Sequence, residues 1–294
     1  MRIALFTSGG ATGAEALRAL SARHEIVSVV QPGHRSLKSF LRPIAVWSGL
    51  KKKDALGEVI RNLRVQHLFA SSRGDPVVLR MLETKRPDII CIAGYRWVLR
   101  PELYSILPFG AINVHPSLLP RYRGRAPLFW VYYNDERCTG VTVHQVTEQA
   151  DAGPILSQQA FDIPRGWAVD EMHNRCAQLG ATMLAEVCDQ IENQCAVCLP
   201  QDESIATVTF TIAPGTRMID FTAWPAERVW HFLAGLSPHY REPLLDSLHQ
   251  EVAYRRAVGY RTAVELGVTA GTAVSMSQGW LLQCLDGVVE LSAD

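Results

Sequence analysis

Three features that often reveal a protein's partners are missing from this sequence: a net charge, a long apolar run and a leader pattern. The 294 residues carry 29 Lys plus Arg against 29 Asp plus Glu, so the formal net charge is zero. A neutral chain has no overall electrostatic attraction to nucleic acid or to an anionic membrane. No apolar run approaches the roughly 18 residues that span a bilayer, and residues 1–6 predict a strand without a cleavage-site pattern. We expect a cytoplasmic protein with no signal peptide and no membrane partner.

The sequence also lacks the cysteine and glycine patterns of common metal and dinucleotide sites. Its seven cysteines are scattered through apolar segments, which is typical of reduced thiols. Cys195 and Cys198 form one Cys-x-x-Cys pair, but no second Cys or His pair follows at zinc-site spacing. The glycine loop at residues 7–13 lacks the Gly-x-Gly-x-x-Gly spacing, so it indicates a tight turn into a helix. We predict no metal ion and no dinucleotide.

Strand and helix patterns alternate over the first two thirds of the chain, which predicts a doubly wound, mostly parallel α/β sheet. The apolar run at residues 88–93 is typical of a central parallel strand. Asp75 followed by Pro76 predicts the start of a helix. The other strands are predicted near residues 3–6, 25–30, 111–114, 139–145 and 155–162, and the helices near residues 14–20, 54–63, 76–85, 101–106, 126–134 and 168–192.

The pattern changes after a polar stretch at residues 193–205, which we interpret as a linker. Beyond it we predict a strand over residues 206–212, a helix over residues 224–236 and a hairpin turning at Asp286-Gly287. Short strands with one helix suggest a small β-barrel. We therefore expect two domains, residues 1–202 and residues 203–294.

A strand ends within residues 111–127, Ala-Ile-Asn-Val-His-Pro-Ser-Leu-Leu-Pro-Arg-Tyr-Arg-Gly-Arg-Ala-Pro. The prolines bar further helix or central strand, so a rigid loop follows. Asn113 and His115 lie at this junction, and their spacing of two puts both on one face of the strand. Ligands of open α/β sheets bind at the carboxyl ends of strands, which predicts a functional site here.

This stretch resembles the signature Asn-x-His-x-Ser-Leu-Leu-Pro of the formyltransferases that use N10-formyltetrahydrofolate. The family completes it with Thr-Gly-Val-Thr and Asp-x-Gly segments, which here are residues 139–142 and 151–153. The resemblance covers nearly the whole chain. It implies the formyltransferase fold with a small C-terminal barrel (OB-like), N10-formyltetrahydrofolate as co-substrate and no metal. It implies Asn113, His115 and Asp151 as catalytic residues, and it implies co-substrate contacts at Ile92, Gly94, Tyr95, Ser117, Leu118, Leu119, Pro120 and Ala150.

The residue types agree with the chemistry of moving a formyl group between two nitrogens. An amide N–H₂ such as that of Asn113 stabilises a developing oxyanion, an effect of roughly 3 kcal/mol for one donor. The imidazole of His115 can take a proton from the attacking amine near neutral pH. The carboxylate of Asp151 can set the imidazole tautomer and support its charged form. Each residue alone is typical of a turn or of structural hydrogen bonding, but the three in this order favour a catalytic site.

Charge and loop sequence predict the acceptor. Arg121, Arg123 and Arg125, with the basic stretch at residues 34–53, are suited to bidentate contacts with a nucleotide diphosphate. Their Arg-Gly-Arg-Ala-Pro loop resembles the domain that formylates UDP-4-amino-4-deoxy-arabinose. Beyond residue 205 there are six arginines and nine acidic residues, whereas a surface that follows a tRNA backbone should be basic. We predict an amino sugar on a nucleotide carrier; the alternatives are methionyl-tRNA and, less favoured, water as in a formyltetrahydrofolate hydrolase.

Overall fold

The computed structural model describes residues 1–33 and 54–293, whose contacts group into two compact units. The first comprises Met1–Gly124, Gly140–Ala160 and His173–Val208. The second comprises Arg125–Thr139, Phe161–Met172 and the residues from Thr209 onward. The expected domain division at residue 202 stays a prediction. The basic stretch at residues 34–53, predicted to bind the acceptor, lies outside the described residues.

The helices and strands are numbered along the described chain. The strands are β1 (Arg2–Phe6), β2 (Glu25–Pro32), β3 (His67–Ala70), β4 (Ile89–Ala93), β5 (Ala111–His115), β6 (Arg123–Gly124), β7 (Cys138–Gln145), β8 (Ile155–Asp162), β9 (Val208–Thr209), β10 (Leu245–Asp246), β11 (Arg256–Thr262), β12 (Thr272–Met276), β13 (Gly279–Gln283) and β14 (Gly287–Ser292). The helices are α1 (Gly10–Ser21), α2 (Ala55–Leu63), α3 (Pro76–Lys85), α4 (Pro101–Tyr104), α5 (Pro127–Tyr133), α6 (Val169–Glu192) and α7 (Ala226–Leu236), with a 3₁₀ turn at Glu203–Ile205.

A seven-stranded sheet in the order β3-β2-β1-β4-β5-β7-β8 organises the first unit. The five strands from β3 to β5 in this order run parallel, and β7 runs antiparallel to β5. Because parallel strands end at the same edge, the loops after β1, β4 and β5 are neighbours. The Ser8 N–H donates to the Gly94 carbonyl at 2.9 Å and joins the first two of these loops. The expected mostly parallel sheet is confirmed.

Apolar side chains cover both faces of this sheet. On one face Val78 and Leu82 of α3 pack with Phe6 and Ile90 of the strands. On the other face Cys188 of α6 lies with its Sγ 3.5 Å from that of Cys91. The N-terminus of α3 is capped as predicted, because the buried Asp75 carboxylate accepts the Val77 N–H at 2.8 Å. These contacts hold the strand ends that carry the candidate site.

The second unit contains a separate five-stranded sheet in the order β10-β12-β13-β14-β11. All its pairs are antiparallel except β10 with β12. The predicted hairpin is β13–β14, and Asp286 in its turn also accepts the Ala226 N–H at 2.7 Å, which caps α7. Phe129 of α5 and Phe232 of α7 meet edge to face, with ring centroids 5.7 Å apart. This sheet agrees with the expected small C-terminal β domain.

One predicted strand is much shorter than expected, and one strand of the sheet was not predicted. The strand predicted over residues 206–212 is only Val208–Thr209. Its alternating apolar side chains Val208 and Phe210 are exposed, so they do not form the buried face that alternation usually indicates. Strand β3, an edge strand of four residues, was not predicted.

Among the helices of the described residues, none combines the length and apolar character required to cross a membrane.

Candidate active site

Strand β5 delivers Asn113 and His115 to the carboxyl edge of the sheet in the first unit. In the strand register, Asn113 lies beside Ile92 of β4 on one side and beside His144 of β7 on the other. His115 is 4% exposed, and Asn113 is half-buried. Both side chains reach the same carboxylate, that of Asp151, as their spacing of two residues predicts.

Asp151 comes from the loop between β7 and β8. Its Oδ1 accepts a hydrogen bond from Asn113 Nδ2 at 3.3 Å, and its Oδ2 lies 3.6 Å from His115 Nδ1. Oδ2 also accepts the Gly124 N–H at 2.8 Å. The backbone of Asp151 has φ of 55°, a left-handed conformation that a non-glycine residue keeps only with support from its surroundings. The three residues predicted as catalytic therefore meet in space.

The glycines of the two motif segments are required by close approach. A Cβ on Gly153 would lie 1.9 Å from the Gln145 carbonyl oxygen, so no larger residue fits while the Asp151 loop keeps this position. A Cβ on Gly140 would lie 2.3 Å from the Gln159 carbonyl oxygen. Both glycines thus let the chain around the Asp151 loop pack backbone against backbone.

A backbone carbonyl fixes the tautomer of His115. Nε2 lies 2.8 Å from the Tyr122 oxygen, which can only accept, so Nε2 carries a proton. Burial lowers the pKa of His115, and the charge of Asp151 and the Tyr122 hydrogen bond oppose that effect only in part. The imidazole is neutral at neutral pH, and its basic nitrogen, Nδ1, faces Asp151. Tyr122 therefore sets the tautomer of His115, a role that was predicted for Asp151.

The carboxylate of Asp151 is charged at the centre of this group. Burial alone would raise its pKa. Interactions with His144 and His115 and the Gly124 hydrogen bond outweigh burial and lower the pKa of Asp151 to about 2. A neutral base next to a fixed negative charge is an arrangement that favours proton uptake by the base.

His144 is a site residue that the sequence analysis missed. It is 2% exposed, and its Nδ1 donates to the Gln145 carbonyl at 2.8 Å, so its Nε2 can accept from Asn113 Nδ2 at 3.1 Å. The same Nε2 lies 3.5 Å from Asp151 Oδ1. His144 follows directly on the Thr-Gly-Val-Thr-Val segment, but only the antiparallel pairing of β5 with β7 sets it against Asn113.

The loop after β5 uses its own polar groups to hold its shape. The fully buried Ser117 donates its hydroxyl to the Arg121 carbonyl at 2.8 Å. The Leu119 N–H donates to Thr142 Oγ1 at 3.2 Å, and the side chain of Leu119 is buried. Co-substrate contacts by these residues, and by their neighbours Leu118 and Pro120, stay predictions.

The other positions predicted for the co-substrate lie at the ends of β4 and β7. Ile92 is buried next to Asn113, while Gly94 and Ala150 are exposed. Tyr95 packs edge to face on Phe6 at 5.4 Å. Burial and the charge of Asp75 raise the pKa of Tyr95 to about 12, so its phenol keeps its proton.

The three arginines predicted to bind the acceptor have different environments. Arg121 is exposed and donates to the Tyr122 hydroxyl at 3.1 Å. Arg123 is only 3% exposed and is engaged by Gln201 and Glu203. Arg125 is exposed and belongs to the second unit. Their roles toward an acceptor stay predictions.

The profile of the formyl transferase family matches residues 1–188. The chain belongs to this family. Methionyl-tRNA formyltransferases of Roseiflexus sp. (strain RS-1) and Chloroflexus aurantiacus are 31% identical over 221 residues and 33% identical over 227 residues. These alignments cover 74% and 76% of this chain, and 64% and 69% of the two relatives. The chain spans about half the length of other methionyl-tRNA formyltransferases that it matches.

A solved member of the same fold extends the comparison to the whole chain. The N-formyltransferase from Helicobacter canadensis, solved with folinic acid and dTDP-3-aminofucose, aligns with 99% of this chain and 98% of its own at a TM-score of 0.70. Since the sequence identity is 14%, this structural similarity shows a shared fold alone. The resemblance inferred from residues 111–127 and 139–153 is thus confirmed as membership of the formyl transferase family, and the expected fold is confirmed with it.

Proposed function

We propose that this protein transfers a formyl group from N10-formyltetrahydrofolate to a primary amine. The observation that carries the proposal is the convergence of Asn113, His115 and Asp151 at the carboxyl edge of a parallel sheet. Membership of the formyl transferase family supports the reaction type. The folinic acid in the Helicobacter canadensis structure supports a formyl folate as the donor.

In the proposed reaction the amine nitrogen attacks the formyl carbon and the bond from that carbon to N10 breaks. His115 Nδ1 accepts the proton that the amine loses and returns it to N10. The imidazolium that forms in between lies 3.6 Å from the Asp151 carboxylate, which stabilises it. Proton balance is thereby kept without a covalent bond to the enzyme.

Asn113 supplies the hydrogen bond to the oxyanion. Its amide N–H groups have two acceptors in the structure, His144 Nε2 at 3.1 Å and Asp151 Oδ1 at 3.3 Å. The longer contact is the weaker one, so we infer that its proton turns to the oxyanion as negative charge develops there. A donor of this kind is worth roughly 3 kcal/mol in the transition state. The other amide proton of Asn113 remains hydrogen-bonded to His144 Nε2, and this bond holds the amide in place.

For the acceptor we propose an amino sugar on a nucleotide carrier. The second unit has nine arginines, no lysine and fourteen acidic residues. Among the arginines, Arg165 is already paired with Asp135 and Glu227 at 2.6 and 2.8 Å. A net acidic unit is poorly suited to a tRNA backbone, which needs a broad basic track. The dTDP-sugar bound to the Helicobacter canadensis protein supports this class of acceptor.

Methionyl-tRNA is the second candidate, and the sequence relatives favour it. The similar curated proteins at 31 to 37% identity are named methionyl-tRNA formyltransferases. In that case the exposed Arg121 and Arg125 would contact the acceptor stem instead of a diphosphate.

A substrate screen with a salt series separates these acceptors. Labelled formyltetrahydrofolate is incubated with UDP- and dTDP-linked amino sugars, with methionyl-tRNA, and with water alone. We expect transfer to an amino sugar with a shallow salt dependence. Transfer to methionyl-tRNA alone, with binding that falls by orders of magnitude over a severalfold rise in salt, would contradict the proposed acceptor. Rapid formate release without any amine would indicate a hydrolase and contradict the proposed transfer.

A further inference from the structure

We propose that residues 199–207 act as a clasp that positions Asp151, and that Gln201 is the positioning residue within it. The inference rests on the catalytic role proposed for Asp151. Sequence patterns indicated a linker over residues 193–205, yet residues 199–207 belong to the first unit and are hydrogen-bonded to its loops at several points. At its start, Leu199 and Ile155 exchange two backbone hydrogen bonds of 2.8 Å. The segment therefore begins with an isolated antiparallel β-bridge to Ile155, the first residue of β8, which follows the Asp151 loop.

The side chain of Gln201 bridges the backbone of the Asp151 loop. Its Nε2 donates to the Asp151 carbonyl at 2.8 Å and to the Gly153 carbonyl at 2.7 Å. These two carbonyls flank the turn in which Asp151 adopts its positive φ of 55°. One amide group that satisfies both carbonyls stabilises this conformation over the extended alternatives. The direction of the Asp151 carboxylate follows from that backbone conformation.

Arg123 fixes the orientation of Gln201. Gln201 Oε1 accepts hydrogen bonds from Arg123 Nε at 3.0 Å and Nη2 at 2.8 Å. The same guanidinium binds both carboxylate oxygens of Glu203, at 2.9 and 2.7 Å. Because the Gln201 amide faces an arginine on one side and two carbonyls on the other, it cannot flip without losing all four bonds. We therefore assign Arg123 to the clasp and not to the acceptor.

The clasp also supports the chain that holds His115. The Tyr122 N–H donates to Thr207 Oγ1 at 2.8 Å, and the Arg123 N–H donates to the Thr207 carbonyl at 2.8 Å. The Tyr122 carbonyl in turn receives the His115 Nε2 proton. One segment thus braces the partners of both catalytic groups, and this sets the 3.6 Å separation of His115 Nδ1 and Asp151 Oδ2.

The test is Gln201→Ala, with Ser204→Ala as the matched control. Ser204 lies in the same segment, and its hydroxyl donates to Asp202. We expect Gln201→Ala to lower kcat ten- to hundredfold while KM for formyltetrahydrofolate changes less than threefold, as for loss of a group that orients a catalytic residue. We also expect the pKa of His115 to fall toward the value that His115 has in the Asp151→Asn variant, as followed by NMR titration of the imidazole. Ser204→Ala should change neither quantity.

Two results would overturn the clasp. One is a Gln201→Ala protein that melts at a lower temperature but keeps the kcat and the His115 titration of the wild type. If that variant does not fold, Glu203→Gln serves instead, and we expect its kcat to fall two- to fivefold. The second result that would overturn the clasp is an unchanged kcat in Glu203→Gln. Failure of the proposed function has a different signature, namely transfer that survives Asp151→Asn. The imidazole titration needs no turnover and still tests the clasp.

Discussion

His115 in the first unit and His231 in the second are both almost completely buried, and they differ in the charges around them. His115 is 4% exposed and His231 is 1% exposed. His115 donates to a carbonyl through Nε2 and faces the Asp151 carboxylate with Nδ1. His231 accepts the Gly166 N–H through Nδ1 at 2.9 Å, and within the described residues its Nε2 has no hydrogen-bond partner. Burial is thus common to both, whereas the carboxylate 3.6 Å from a ring nitrogen is a feature of His115.

The consequence appears in how each ring holds a proton. Burial lowers the pKa of His231, and the charges of Arg165 and Arg137 lower it further; Asp135 opposes them, but the pKa is still lowered to about 4. At His115 burial also lowers the pKa, so the ring is neutral. The negative charge of Asp151 opposes this effect, so the ring can still be protonated during a reaction. Desolvation makes a histidine neutral, whereas a neighbouring anion makes it a base. The ring of His231 is tilted by 39° from that of Tyr132, with centroids 4.9 Å apart, and His231 is a packing residue by this criterion.

The sharpest test of this contrast is to remove each ring in turn. We expect His115→Ala to lower kcat by about 10²–10⁴-fold, the range for a lost general base. Asp151→Ala should cause a loss of similar order, since both groups govern proton position. Folate binding should survive within roughly tenfold in both variants, because neither group is proposed to hold the pterin. The measurement is single-turnover transfer together with donor binding.

His231→Asn is the matched control for these variants. Its amide oxygen takes the position of Nδ1 and can still accept the Gly166 N–H, so we expect near wild-type turnover. Near wild-type turnover in His115→Ala or in Asp151→Ala would remove that residue from the mechanism.

A second test changes the charge at the site instead of the base. Asn113→Asp places a carboxylate where Asp151 Oδ1 now lies 3.3 Å from an amide donor, so two like charges meet. It also opposes the developing oxyanion, which Asn113→Ala does not. We expect Asn113→Ala to lose about 10²–10³-fold in kcat, as for removal of an oxyanion donor, and Asn113→Asp to lose more. Equal activities of the two variants would mean that Asn113 has only a structural part.

How far sequence predicts such a site depends on whether the contacts are local. The placement of Asn113 and His115 on one face follows from strand periodicity alone, and the motif order identified Asp151. The pairing that sets His144 against Asn113 joins strands about thirty residues apart, with a register set by the whole sheet. No local pattern reports it.

The clasp escaped prediction for a related reason. Residues 199–205, most of the clasp, have no strong apolar periodicity, and periodicity is the main clue that a sequence offers. Their order comes from hydrogen bonds of side chains such as Gln201 and Thr207 to distant backbone groups. Arg123 was predicted to contact the acceptor because a guanidinium suits bidentate contacts with a diphosphate. In the structure Glu203 and Gln201 provide the partners that allow it to be buried.

The smallest expected effect concerns stability and not turnover. The pKa of His231 is about 4 in the folded protein against an ordinary value of 6.5, so between these pH values the unfolded chain binds the extra proton. Stability from this group is therefore complete above pH 6.5 and is lost as the pH falls toward 4. The linkage gives a loss of about 2 kcal/mol between pH 7 and pH 5. Urea unfolding of wild type and His231→Asn at both pH values measures it. Because His115 titrates in both proteins, the difference between their slopes of unfolding free energy against pH isolates the contribution of His231. Parallel slopes would mean that the folded protein protonates His231 as readily as the unfolded chain does.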